Sequence, residues 1–115
     1  MNVRVLRRES GQDDGTAAIQ ITGDIDLFTA STLKQTLCGA LDQGHSTLEV
    51  DLKCVDYIDS TGLSVLIAAL RKARERKGGM RLLNLNRQLR RMFEVTGLSK
   101  LFDIEEAPRE SRRAG

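Results

Sequence analysis

Four carboxylates, Asp24, Asp26, Asp56 and Asp59, follow segments that read as strands, and the hydroxyl pair Ser60-Thr61 comes directly after the last of them. Acids gathered at strand ends can accept a phosphoryl group or orient a neighbouring hydroxyl. A receiver-like phosphoaspartate site would also need a lysine after a later strand, yet the segment 80–85 ends in Leu85-Asn86, and the regular βα alternation of receivers is missing. No Gly-x-Gly-x-x-Gly and no Gly-Lys-Ser/Thr occurs, which argues against a phosphate-cradling nucleotide loop. His45 is the sole histidine, and Gly44-His45-Ser46 reads as a solvated turn. A Ser-His relay is therefore a poor fit, and with no second histidine to share a metal, no metal site is expected. Cys38 and Cys54 are too few for a zinc site or a disulfide framework. Both lie among apolar neighbours and read as small buried hydrophobes.

What remains is Asp59-Ser60-Thr61-Gly62-Leu63. Two readings fit it. Ser60 can be the N-cap of the following helix, accepting from the N–H of Gly62 or Leu63. It can also be an exposed hydroxyl at a helix N-terminus, where the backbone favours an added negative charge.

The elements that must position these residues can be read from hydrophobic spacing. Val3, Val5 and Leu6 suggest a first strand, and residues 10–16 form a turn cluster. Residues 17–22 alternate, with Ile19 and Ile21 on one face and Gln20 on the other, as expected of a hairpin partner to the first strand. A helix over about 30–43 carries Leu33, Leu37, Ala40 and Leu41 at helical spacing, with Thr29 as N-cap and Gly44 as stop. Residues 47–53 alternate again. The clearest helix runs over about 61–77, with Leu63, Leu66, Ile67, Leu70 and Ala73 in one stripe, Leu63 and Leu66 being core, and Gly78-Gly79 ending it. A strand over 80–85 and a helix over about 87–96 come next. Gly97 closes that helix, and Leu98, Leu101 and Phe102 fold back over the core.

Strand, helix, strand is a right-handed parallel unit. The order β-β-α-β-α-β-α gives a mixed α/β fold with four to five strands. Because the strands alternate instead of running continuously apolar, helices are expected mainly on one face.

The 115 residues suit one domain, placed at 1–107, with a disordered polar tail at 108–115. At 40% hydrophobic and 30% charged residues the chain is not a disordered one. It has no apolar run of membrane-spanning length and no secretory signal, so the cytoplasm is the expected compartment. Net charge is only +2, but residues 1–66 carry −5 and residues 67–115 carry +7. The densest basic run, Arg71-Lys72-Ala73-Arg74-Glu75-Arg76-Lys77, reads as the solvated end of a helix. With Arg87, Arg90 and Arg91 it could alternatively serve a nucleic-acid-binding module. Aromatics at 3%, with no Trp, speak against base stacking.

Three patches in a consistent order carry a resemblance. Asp59-Ser60-Thr61-Gly62-Leu63 is similar to the phosphorylation loop of the STAS-domain anti-sigma factor antagonists of bacteria. Gly23-Asp24-Ile25-Asp26, followed by Thr29-Ala30 and Leu33, resembles the Gly-Glu-hydrophobic-Asp signature at the end of that family's second strand. The stretch from Leu89 to Leu101, with Phe93 and Thr96-Gly97-Leu98, resembles its closing segment. Asp24 stands where Glu is commoner and Ser64 where a second glycine is usual.

The resemblance implies a STAS-like fold and a protein that is not an enzyme and needs no cofactor. It would be the substrate of a serine kinase that doubles as an anti-sigma factor, with a serine phosphatase reversing the mark. Ser60 would be the acceptor, with Thr61 second. The partner surface would comprise Asp24, Asp26, Asp59, Ser60, Thr61, Gly62 and Ser64. The implied cycle belongs to stress-responsive transcription, with no direct contact to nucleic acid or membrane and a free protein that is a monomer. A STAS scaffold or secretion regulator using the same switch on another partner remains open from these residues.

Overall fold

The computed structural model describes residues 2–6 and 15–105. Five strands, β1 (Asn2–Leu6), β2 (Thr16–Thr22), β3 (Thr47–Cys54), β4 (Gly79–Leu83) and β5 (Asp103–Glu105), form one sheet in the order β1-β2-β3-β4-β5. The pair β1–β2 is antiparallel, with Val3 opposite Ile21 and Val5 opposite Ile19. All other pairs are parallel. Helices α1 (Ala30–Asp42), α2 (Ser60–Glu75) and α3 (Arg87–Val95) cross between successive parallel strands. The strand order advances one step at a time in one direction. Right-handed crossovers therefore place all three helices on the same face. This is the mixed one-sided layer that the alternation implied.

Period-two burial comes from that layering. Ile19, Ile21, Leu48, Val50, Leu52, Met80 and Leu82 point into the core, and their strand neighbours Gln20, Glu49, Asp51 and Arg81 are half-buried on the bare face. Leu33, Leu37 and Leu41 from α1 and Leu66, Leu70 and Ala73 from α2 complete the apolar layer. Leu63 and Ile67 pack only against its edge. At the far end Phe93 of α3 meets Phe102 edge to face, ring centroids 5.6 Å apart at 79°. Leu98 packs half-buried against the core, whereas Leu101 is exposed.

Several expectations change. The sheet has five strands, within the expected four to five, but β5 comes after the last helix, where the expected order placed no strand; three residues are too few to show a period in sequence. Cys38 is half-buried and Cys54 exposed, not buried. The register between β2 and β3 shifts between Gln20 and Thr22, which pair with Asp51 and Cys54. The extra residue on β3 is a bulge that reverses the facing of the residues after it, so Val55 enters the core in place of Cys54. His45 is half-buried rather than solvated. Helix α2 ends at Glu75, and Lys77 takes the left-handed conformation (φ 63°) that would suit a glycine. Gly78 serves another purpose: a Cβ there would stand 1.7 Å from the Ser46 carbonyl oxygen. The expected turn over 10–16 falls largely outside the described residues, and the expected tail at 108–115 wholly so.

Candidate functional site

The residues singled out from sequence meet at one end of the sheet, where β2 and β3 run out. The chain after β2 and the chain after β3 are laced together by backbone bonds. Ile25 N–H donates to Tyr57 O (2.9 Å), Asp59 N–H to Ile25 O (3.0 Å) and Gly23 N–H to Cys54 O (3.1 Å). Ile25 and Ile58 form a parallel bridge, and both side chains are buried. The two loops are therefore tied into one unit.

Asp59 is the hinge pin of that unit. It is the N-cap of α2, and its Oδ1 accepts from Gly62 N–H at 2.9 Å. Its Oδ2 accepts from Leu27 N–H at 3.1 Å across the loop junction. The expected cap, Ser60, is instead the first residue of the helix. An aspartate in the preceding extended position satisfies the orphan N–H better, because its two oxygens serve two donors at once. Ser60 is exposed, and among the described residues nothing hydrogen-bonds its Oγ. Its carbonyl oxygen accepts from the Ser64 hydroxyl at 2.9 Å. Thr61 is half-buried beside it, and Ser64 lies one turn on.

Gly62 is required for close approach. A Cβ there would lie 2.3 Å from Ile25 Cγ2 and 2.8 Å from Ile25 O, so any side chain would push the helix start off the loop it caps.

Asp26 is likewise committed to the backbone. Its Oδ1 accepts from Phe28 N–H (3.0 Å), Thr29 N–H (3.2 Å) and the Thr29 hydroxyl (3.2 Å). Thr29 has the position of an N-cap but makes no capping bond with its side chain. The one hydrogen of its hydroxyl is shared between Asp26 Oδ1 and Asp24 O (3.1 Å), and the hydroxyl oxygen accepts from Asp26 N–H at 2.9 Å. Asp26, three residues earlier, binds the N–H groups that lead into the helix. Asp24 and Asp56 are carboxylates on the same two loops, Asp56 exposed.

Periodicity overlooked three residues here. Phe28 is 89% exposed, Leu27 64% and Tyr57 55%. The signal was available: Leu27-Phe28 precedes the first residue of the α1 stripe, so no helical face claims it. Among the described residues no group of three His, Cys, Asp or Glu side chains could hold a metal ion. No described helix is long and apolar enough to cross a membrane.

The loop pair at this end of the α/β module is laced by backbone hydrogen bonds and presents exposed hydroxyl, acidic and apolar side chains. The family model described as Mlab, STAS domain matches residues 9–104. Over 104 residues the chain is 35% identical to an anti-sigma-B factor antagonist of Bacillus subtilis (strain 168), covering 90% of this chain and 92% of that one. It is 35% identical over 105 residues to the anti-sigma-B factor antagonist of Listeria monocytogenes (91% and 90% covered). Among solved structures, an anti-sigma factor antagonist from Mycobacterium paratuberculosis superposes with a TM-score of 0.75 at 26% identity, covering 98% of this chain and 93% of that one. SpoIIAA matches in its unphosphorylated form (TM-score 0.71, 18% identity, 96% and 93% covered) and its phosphorylated form (0.72, 20%, 96% and 95%). The chain belongs to the STAS-domain anti-sigma factor antagonist family, whose members are regulatory binding proteins and not enzymes.

Proposed function

We infer that this chain is an anti-sigma factor antagonist working by partner switching. In the unphosphorylated state it binds a serine-kinase anti-sigma factor and releases the sigma factor. Phosphorylation at Ser60 abolishes that binding, and a serine phosphatase restores it. The observation that carries the reading is the exposure of Ser60 at the first position of α2, beside a loop pair held rigid by Asp59. The names of the relatives at 35% identity support the partner class.

Electrostatics make the switch sufficient. A phosphoserine adds about −1.5 to −2 charges. The start of α2 favours that charge by up to ~2 kcal/mol. One carboxylate at about 6 Å and effective dielectric 20 opposes it by roughly 3 kcal/mol before screening. The repulsion matches or exceeds the dipole gain, and salt screens both at an exposed position, so rearrangement inside the domain should stay small. The cost falls on the interface, where a dianion buried against a surface shaped for a hydroxyl costs several kcal/mol. About 4 kcal/mol is close to a thousandfold in affinity.

Against the nucleic-acid reading, the basic run is partly spent within the fold. Lys72 and Arg76 pair with Asp42, and Arg74 donates to Leu101 O. That leaves Arg71 and Lys77 of the run, with Arg87 and Arg91 exposed on α3, fewer than the roughly 6–10 phosphate contacts behind a steep salt dependence. A gel shift at two salt concentrations should show no specific binding.

The test uses the anti-sigma kinases of the same genome, purified, with ATP and mass spectrometric mapping. Phosphate should appear on Ser60. Ser60→Ala should abolish labelling and still bind the kinase, and Ser60→Glu should bind at least about a hundredfold more weakly. Wild-type binding by both variants would overturn the switch. If a pull-down from the native cell returns a partner other than an anti-sigma factor, the scaffold reading takes its place.

A further inference from the structure

Leu27, Phe28 and Tyr57 stand out because folding gains little from them. A phenylalanine left 89% exposed contributes almost none of its burial energy to the domain. Single exposed apolar residues are ordinary, but large ones grouped on one feature mark an interaction site. These three are grouped. Tyr57 O accepts from Ile25 N–H, two residues before Leu27, and Leu27 N–H donates to Asp59 Oδ2. Phe28 N–H is fixed in turn by Asp26 Oδ1. Their backbones are thus anchored by bonds of 2.9, 3.1 and 3.0 Å respectively. Little backbone entropy remains to be lost when a partner covers them, which favours an efficient anchor.

We propose that Phe28, with Leu27 and Tyr57, is the apolar anchor by which this chain grips its anti-sigma partner, seated in an apolar groove with basic side chains at its rim. The proposal rests on the partner-switching reading and deepens it by separating grip from switch. Charge complementarity selects the occupant. Asp24 and Asp56 are exposed on the same two loops. A second copy of this chain would bring the same acids face to face. A partner with basic groups around an apolar cleft meets both features. Aromatic anchors ringed by polar residues are the usual centres of protein interfaces. Because Leu27 is tied to Asp59, and Asp59 immediately precedes Ser60, a phosphate on Ser60 would enter the groove's edge while leaving the anchor itself in place.

The test measures affinity and phosphorylation kinetics with the kinase that labels Ser60. Phe28→Ala and Tyr57→Ala should each weaken binding at least about tenfold with an unchanged melting temperature. Binding supplied equally to ground and transition states raises KM when lost and leaves kcat alone. The same variants should therefore raise KM for Ser60 phosphorylation at unaltered kcat. Wild-type affinity in both variants, with Ser60→Glu still weak, would overturn the anchor and leave the switch standing. Loss of affinity accompanied by a fallen melting temperature would assign these side chains to the fold and also overturn it. Sedimentation of the free protein covers the remaining occupant: a dimer that Phe28→Ala dissociates would make the surface a self-association site and overturn the proposal. If Ser60→Glu binds as wild type does, the failure lies with the switch itself.

Discussion

At the scale of single residues the site depends on a carboxylate doing two jobs. Asp59 caps α2 through Gly62 N–H and ties down Leu27 N–H with its other oxygen. Loss of an N-cap typically costs about 1 kcal/mol, up to about 2. Asp59→Ala should therefore lower the urea-unfolding free energy by about 1–2 kcal/mol. Because it also frees the loop bearing Leu27 and Phe28, the variant should bind its partner more weakly than the stability loss alone predicts. A binding assay far below the unfolding midpoint would separate the two effects. From sequence, Ser60 reads as the cap and Asp59 as a contact residue. Their order along the chain was legible, but which of two adjacent polar residues is extended and which is helical depends on the pull of Ile25 O on Asp59 N–H. That acceptor sits on a different loop, remote in sequence from the residue it fixes.

At the scale of elements, α1 and α2 are joined at their C-terminal ends. Lys72 Nζ lies 2.9 Å and Arg76 Nη2 3.2 Å from Asp42 Oδ1, and Arg76 Nη1 donates to Leu41 O. The hydrogen bond from Lys72, helped by the nearby charges of Lys72 and Arg76, holds the Asp42 carboxyl below its ordinary pKa. A depressed carboxylate stabilises the fold above its unfolded pKa and loses that contribution as pH falls through its folded value. The difference in stability between wild type and Asp42→Asn should thus be present at neutral pH and shrink below about pH 4. It should be small, since the pair is exposed, and salt should reduce it. Paired denaturation curves at neutral pH and well below the carboxylate range, each at low and high salt, would measure both. The apolar stripes of these helices were readable from spacing alone. Their joint was not, because the basic run 71–77 looks the same whether its charges face water or a neighbouring helix.

At the scale of the whole molecule, three helices cover one face of a five-stranded sheet, within a radius of gyration of 13.6 Å. The last helix and β5 are held by the edge-to-face pair Phe93–Phe102, both buried. Truncating a buried phenylalanine costs about 3–5 kcal/mol. Phe93→Ala should destabilise the domain by that amount and preferentially speed hydrogen exchange in α3 and β5. Protection in β2 and β3, at the centre of the sheet, should fall least. The proposed partner surface lies elsewhere, at the tips of β2 and β3, so partner affinity measured on the folded fraction should be nearly unchanged.

Alternation in β2, β3 and β4 and the three-and-four spacing in α1, α2 and α3 depend only on which residues are apolar, and the chain carries that information locally. The sheet's mixed character, its one-sided layer and the position of Ser60 at a strand-to-helix junction were all readable from it. Tertiary structure decided the rest: β5 as a fifth strand, Cys54 turned outward by a bulge, Asp59 as the cap, and Phe28 and Tyr57 left in water. Each of these outcomes is settled by atoms far away along the chain, through backbone pairing or the absence of a covering neighbour. A local pattern has no term for either.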